Sequence, residues 1–273
     1  MVNALSFDLE DWFCVSNLRL IIKQEEWDLQ ELRVIENTGR ILSLLKKYNV
    51  EATFFVLGWI AEQVPELIRE IERHGHEIAT HGYSHKMLTE MGPEEFDDDM
   101  AQALAITRSI VTGNILGYRA PTFSLTKDTL WATEILLKHG VLYDSSIFPM
   151  SFVGAYDAIS GISTGPFRFE NGLIEFPLSC AEKFFLRIPC SGGCFFRALP
   201  YALTKHLLAG INRKGNPVMF YLHPWEIDPD QPKKHMPAID SIRHYINLDK
   251  TYGRLERLIQ DFRFTSAKKV LGL

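Results

Sequence analysis

Residues 2–11 read VNALSFDLED. An apolar run breaks off in three acids, Asp8, Glu10 and Asp11. The run predicts a strand over 2–7, with charge placed where the extended chain leaves its sheet. The same form recurs downstream. EATFFVL (51–57), residues 77–80, 115–119 and 141–144, and PVMFYL (217–222) each read as short strands. Between them, residues 35–48, 60–74, 93–111 and 127–139 carry helical patterns, and 250–262 forms a last helix. Alternating strand–helix units imply an α/β fold with a mostly parallel sheet, and they allow a barrel whose reactive residues sit at C-terminal strand ends. Asp8, His81, Arg119, Asp144 and His223 each fall at such an end. Five reactive side chains at five strand ends converge on one face of the sheet.

Composition narrows the function. A chain of 273 residues with 46% hydrophobic and 23% charged residues is an ordinary globular protein, long enough for one large domain. The net charge of −5 and the lack of a basic tail argue against a nucleic-acid partner, since phosphate binding needs clustered Lys and Arg. No run approaches the roughly 18 apolar residues of a membrane span. The N-terminus has no basic segment followed by a long apolar run, so a cytoplasmic location is expected. Cys14, Cys180, Cys190 and Cys194 show no framework spacing and suit a reducing compartment. Cys190 and Cys194 make a single close pair, whereas a structural zinc site usually shows two.

The second informative stretch is THGYSH, residues 80–85. On a helical turn its H-x3-H spacing puts the imidazoles of His81 and His85 on one face. Two histidines and a carboxylate make a three-ligand catalytic metal site that leaves a position for water. Asp8 and Glu10 share one side of an extended segment, so one can serve as base and the other as ligand. Asp11 is the rival ligand if the chain turns after Leu9. Arg119 offers a forked guanidinium to a carboxylate. His223 is a candidate general acid, with Asp144 as the acid that raises its pKa. Trp12, Trp225 and Phe123 are candidate sugar-stacking walls, although such aromatics are more often core.

The rhythm breaks between 145 and 200. FRFENGLIEFPLS (167–179) reads as a hairpin around Asn171-Gly172, and SGGCFF (191–196) as a glycine-rich turn. A phosphate loop is excluded because its Lys-Ser/Thr ending is missing. A lid or a substrate wall fits the segment better.

These motifs, in this order, resemble the polysaccharide deacetylases with a NodB homology domain, carbohydrate esterase family 4. SFDLED stands at the family's aspartate motif, THGYSH at its H-[ST]-x-x-H motif and GYRAPTFS at its arginine–proline motif. YDSS matches the later aspartate motif, YLHP the leucine–histidine motif and ATFFVLG a core strand. The tail from HPWEIDPDQP to RHYINLDKTYGRLERLIQDFRF is similar to a subgroup found with exosortase (PEP-CTERM) loci. The chain departs from the family pattern in lacking two adjacent aspartates, the glycine after the motif proline and the tryptophan of the aspartate motif.

The resemblance implies a distorted, incomplete (β/α) barrel of about seven βα units. It implies one domain over 1–273, with a core at 1–224 and an extension over 225–273 packed on the barrel. It further implies a divalent metal, zinc first and Co2+, Fe2+ or Mn2+ as alternatives, held by His81, His85 and Glu10 or Asp11. Asp8 would be the base, oriented by Arg119. His223 would be the acid, tuned by Asp144, with Pro121, Phe123 and Trp225 against the sugar. The implied reaction removes N-acetyl groups from an exopolysaccharide or a lipid-linked precursor. Alternatives are a deformylase or cyclic-amide hydrolase on the same fold, or a silent carbohydrate-binding member. The oligomeric state stays open.

Overall fold

The structure, a computed structural model, describes residues 1–149, 163–183 and 186–273. The chain opens with β1 (Asn3–Leu9), a fully buried strand, and two short 3-10 turns lead to α1 (Val34–Tyr48). There follow β2 (Thr53–Val56), α2 (Gly58–Gln63), α3 (Pro65–Arg73), β3 (Glu77–Thr80) and α4 (Pro93–Ile110). Next come β4 (Gly117–Tyr118), α5 (Ala132–Lys138), β5 (Tyr143–Asp144), β6 (Phe167–Arg168) and β7 (Ile174–Glu175). The chain continues through β8 (Cys180–Lys183), β9 (Leu186–Pro189), α6 (Gly193–Ala198), α7 (Tyr201–Arg213) and β10 (Met219–Leu222). It ends with α8 (Ala238–Tyr245), α9 (Leu248–Asp261), β11 (Phe264–Thr265) and α10 (Ala267–Leu271).

The main sheet runs in the order β10-β1-β2-β3-β4-β5-β7-β6, with β11 also on β1. Every pairing is parallel except β6 with β7. The order ends at β10 and β6, which do not pair, so the sheet curls into an incomplete barrel. Parallel strands buried on both faces need helices around them, and the apolar stripes of α1 and α3 supply that cover through Ile41, Leu45, Leu67 and Ile71. Phe7 and Phe54 stack between neighbouring strands with centroids 5.1 Å apart.

Several elements differ from the sequence reading. The helix expected over 60–74 is two, because Pro65 has no amide hydrogen to continue α2 and instead opens α3 at its first position. The helix expected over 127–139 is a 3-10 turn at Lys127–Thr129 followed by the shorter α5. Helix α7, β11 and α10 were not anticipated. The hairpin around Asn171-Gly172 is present as β6–β7, with Gly172 at φ +96°. The lid expected over 145–200 falls partly on 150–162 and 184–185, which lie outside the described residues. The glycine turn is built onto the free edge of β10. There Tyr221 N–H donates to the Ser191 carbonyl at 2.8 Å, and Gly192 bridges to Tyr221.

Candidate active site

Of the five polar residues at the C-terminal strand ends, Asp8, His81 and His223 line one pocket of about 200 Å³, and Arg119 and Asp144 do not. Asp8, Glu10, His81, His85, Phe123, His223 and Trp225 all line it. Pro121 is buried and is not part of the lining.

Glu10 follows β1 and lies at the centre. One of its oxygens is 3.2 Å from His85 Nε2, and the other is 3.9 Å from His81 Nε2 and 3.0 Å from His223 Nε2. Burial works against the Glu10 charge, but His85 and His223 beside it hold the carboxyl well below the usual range. Asp8, two residues earlier, receives Arg119 Nη1 on one oxygen at 2.5 Å, and its other oxygen is 3.7 Å from His223 Nε2. Arg119 is fully buried. All three of its nitrogens are engaged, with further bonds to Ser6 Oγ, the Ser145 carbonyl and Ser145 Oγ and the Phe55 ring 4.0 Å beneath the guanidinium. That saturation leaves Arg119 no rotamer freedom, so it fixes the Asp8 carboxylate.

His81 and His85 meet by a route the sequence reading did not foresee. Residues 81–87 are not helical. Gly82 and His85 take left-handed conformations, at φ +72° and +58°, and this turn brings the two rings to 5.3 Å. The left-handed region penalises a Cβ at His85, a cost typical of functional turns. Asp99 on α4 supports the loop by accepting from Tyr83 N–H at 2.8 Å and Ser84 N–H at 3.0 Å. A Cβ at Gly82 would come within 2.8 Å of Asp99, which accounts for glycine after the first histidine. The spacing of Asp99 from THGYSH gave no signal for this contact.

Glu10, His81 and His85 are the group of donors, among the described residues, that could hold a metal ion: their ligand atoms lie within 4.8 Å of one another. His81 Nδ1 is 2.8 Å from the Arg119 carbonyl and donates to it, which turns the lone pair of Nε2 toward Glu10. His81 Nε2 and Glu10 Oε2 are buried and make no hydrogen bond. Burial pushes the His81 imidazole down to about 4, so it is neutral as a ligand must be. Orphaned donors, a fixed tautomer and a nitrogen–nitrogen–carboxylate set together fit a divalent cation.

Asp11 is not part of this group. It accepts from the backbone N–H groups of Trp12, Arg33 and Val34, so the acid that rivalled Glu10 caps the start of α1. Asp144 does not meet His223. Its carboxyl binds Ser146 Oγ, and Glu175 stands in register beside it on β7. His223 finds a different acid, Glu226, which the sequence reading missed although it lies three residues on. Glu226 Oε1 accepts from His223 Nδ1 at 2.7 Å, and Arg197 Nε donates to Glu226 Oε2 at 2.6 Å. Burial alone would lower the His223 pKa, but Glu10 and Glu226 outweigh it and hold the imidazolium up to about 10. Trp225 stacks on His223 with centroids 5.3 Å apart. Trp12 is core: its indole is buried and donates to the Glu31 carbonyl.

The parallel half-barrel gathers two histidines and a carboxylate beside an arginine-held aspartate and a histidine, the set expected from the resemblance to the carbohydrate deacetylases. Comparison with known proteins agrees. Residues 31–140 match the family described as polysaccharide deacetylase, and residues 145–272 match a domain of unknown function, DUF3473. Over residues 31–140 the chain is thus similar to the polysaccharide deacetylase family, whose domain is of the NodB type.

Among curated relatives, a peptidoglycan deacetylase of Helicobacter pylori is 33% identical over 117 residues, 43% of this chain and 39% of its own length. A chitooligosaccharide deacetylase of Bradyrhizobium is 36% identical over 94 residues, 34% of this chain and 43% of its own. The chain thus spans about two fifths of the length of these relatives. A solved Mycobacterium smegmatis structure assigned to the polysaccharide deacetylases shares the fold at a TM-score of 0.63 and 20% identity, covering 98% of this chain and 87% of that one. A Bacillus anthracis protein described as a CE4 family pseudoenzyme shares it at 0.51 and 13%, covering 99% and 65%.

Proposed function

We propose that this protein is a metal-dependent hydrolase that removes N-acetyl groups from sugar residues of an exopolysaccharide or its lipid-linked precursor, as one domain over residues 1–273. The observation that carries the reading is the placing of Asp8. Its carboxylate is locked by Arg119 on one oxygen and faces His223 with the other, beside the Glu10–His81–His85 donor set. A binding protein has no use for an acid and a base opposed across a donor cluster.

A divalent cation held by Glu10, His81 and His85, zinc first and Co2+, Fe2+ or Mn2+ as alternatives, would polarise the acetyl carbonyl and acidify water. Asp8 takes a proton from the attacking water as its oxygen bonds to the carbonyl carbon. Arg119 keeps the carboxylate aimed. His223 gives the Nε2 proton to the sugar nitrogen as the C–N bond breaks, so the products are acetate and a free amine. Phe123 and Trp225 present apolar rings to the sugar. The glycan-deacetylating relatives support an N-acetylated glycan as substrate, and four unpaired cysteines support a reducing, cytoplasmic setting.

The test is acetate release from N-acetylglucosamine oligomers and from peptidoglycan by metal-stripped protein, with each cation restored in turn. Metal-dependent acetate is the expected result. No acetate with any cation, from protein that binds metal at the histidines, overturns the reading. Formate release or ring opening of a cyclic amide would identify the alternative hydrolase.

A further inference from the structure

We infer that the region matched as a domain of unknown function completes the active site by positioning the acid, with Glu226, clamped by Arg197, as the residue that sets the orientation of His223. The inference rests on the deacetylase reading and deepens it. Glu226 is fully buried and Arg197 is 1% exposed. One Glu226 oxygen accepts from both the ring Nδ1 and the backbone N–H of His223, at 2.7 and 3.1 Å, and the other accepts from Arg197 Nε. The rest of the guanidinium is spent on the carbonyls of Arg243, His244 and Ile246, where α8 ends. The clamp therefore runs from the α8–α9 junction through Arg197 and Glu226 to His223, every link inside residues 145–272.

Packing alone does not call for this arrangement. A buried ion pair is commonly no more stabilising than well-packed apolar residues of similar volume, so a clamp of this kind points to a demand for geometry. The geometry it delivers is specific. With Nδ1 held by Glu226, the ring presents Nε2 to Asp8 and Glu10, where the leaving nitrogen must lie. Trp225 fixes the ring plane, and the indole is stacked in turn on His244 at 4.5 Å. Asp144, at the aspartate motif to which the resemblance gives this task, is engaged with Ser146. Glu226 is thus a positioning residue that acts through His223.

The test compares wild type with Glu226→Gln on two substrates: an N-acetylglucosamine oligomer, whose amine must be protonated to leave, and 4-nitrophenyl acetate, whose phenolate leaves without a proton. Turnover on the amide is expected to fall by about 100-fold, the contribution of a placed general acid. Turnover on the ester should fall by no more than about 3-fold, with the KM of the amide and the metal content kept. Equal losses on both substrates, or loss of metal, would mean a structural role and overturn the inference, as would undiminished amide turnover. Proton and nitrogen NMR of the metal-free protein gives a second readout. The His223 Nδ1 proton should resonate far downfield in wild type and move upfield in Glu226→Gln; an unmoved resonance rejects the contact. Wild type that cleaves no amide refutes the deacetylase reading, and the NMR result then decides the clamp by itself.

Discussion

Replacing Asp11 with alanine separates the two acids that follow β1. Asp11 is fully buried and accepts from Trp12, Arg33 and Val34 N–H at 2.7, 2.7 and 2.9 Å. Helix α1 begins at Val34, and the residue before it supplies no side-chain cap. Asp11 therefore performs from 22 residues away the task of a local N-cap, with its charge at the positive end of the helix dipole. Burial pushes its carboxyl up to about 6 despite the three donors, so at pH 8 the capping group is the carboxylate. Loss of a cap costs about 1–2 kcal/mol, and stranding a further buried N–H adds about 1–3 kcal/mol. We expect Asp11→Ala to destabilise the protein by about 3 kcal/mol, a fall in melting temperature on the order of 6–12 °C for a chain of this size. The assay is thermal unfolding of metal-free protein at pH 8, with metal content measured by elemental analysis on the folded variant in the cold. Asp11→Ala should keep the metal stoichiometry of wild type, whereas Glu10→Ala should lose metal. Unchanged stability together with lost metal in Asp11→Ala would show that the two acids have been assigned in reverse.

Other consequences can be measured directly. His81→Ala and His85→Ala should each abolish metal retention and acetate release, and a stoichiometry near one in either variant would reject the ligand assignment. Asp144 and Glu175 are neighbouring buried carboxyls; burial pushes Asp144 up to about 6 and Glu175 well above its ordinary value. Folded pKa values above the unfolded ones mean that the native state holds the extra proton. The stability it contributes is complete below about pH 4 and is lost as pH rises through 6 and beyond. Glu175→Gln should therefore melt higher than wild type at pH 8 and lose less stability between pH 5 and 8; parallel melting curves would contradict this. At Gly192, with φ +142°, a Cβ would come within 1.8 Å of the Tyr221 carbonyl oxygen. Gly192→Ala should destabilise by at least about 3 kcal/mol, read by thermal unfolding, and a wild-type melting temperature would refute the close approach.

Much of the site was legible because a parallel sheet turns a one-dimensional fact into a spatial one. Asp8 near the end of β1, His81 after β3, Arg119 after β4 and His223 after β10 were visible as polar residues at the ends of apolar runs. Alternation also favoured Glu10 over Asp11. What stayed hidden depends on contacts between distant segments or on single backbone angles. Spacing suggested a helical turn for His81 and His85, but only the chain's packing against Asp99 shows that Gly82 and His85 take positive φ. Of the three candidate sugar walls, Trp12 takes the commoner place of such aromatics in the core, held by an indole bond to the Glu31 carbonyl that periodicity cannot foretell. Glu226 follows His223 by three residues, and its partner Arg197 lies in a short helix within the stretch where the strand–helix rhythm had broken.

The strand order explains why the acids stand where they do. Strand β1 pairs in parallel with β2 on one side and with β10 on the other. The histidines that could hold metal follow β3, beyond β2, while His223, the proposed acid, follows β10. Among the described residues, Asp8 and Glu10 are thus the carboxylates of the pocket placed between the two groups of histidines, and each faces both ways: Glu10 toward His81, His85 and His223, Asp8 toward Arg119 and His223. Neither acid lies within the two matched regions, 31–140 and 145–272. The first region brings the metal-type histidines and Arg119, and the second brings His223 with its clamp. The strand that precedes both supplies the charge that makes them one site. A change at Ser6, which accepts from Arg119 and donates to the Phe220 carbonyl on β10, should therefore disturb the proposed base, Asp8, and the proposed acid, His223, together, because it loosens the seam on which the two halves meet.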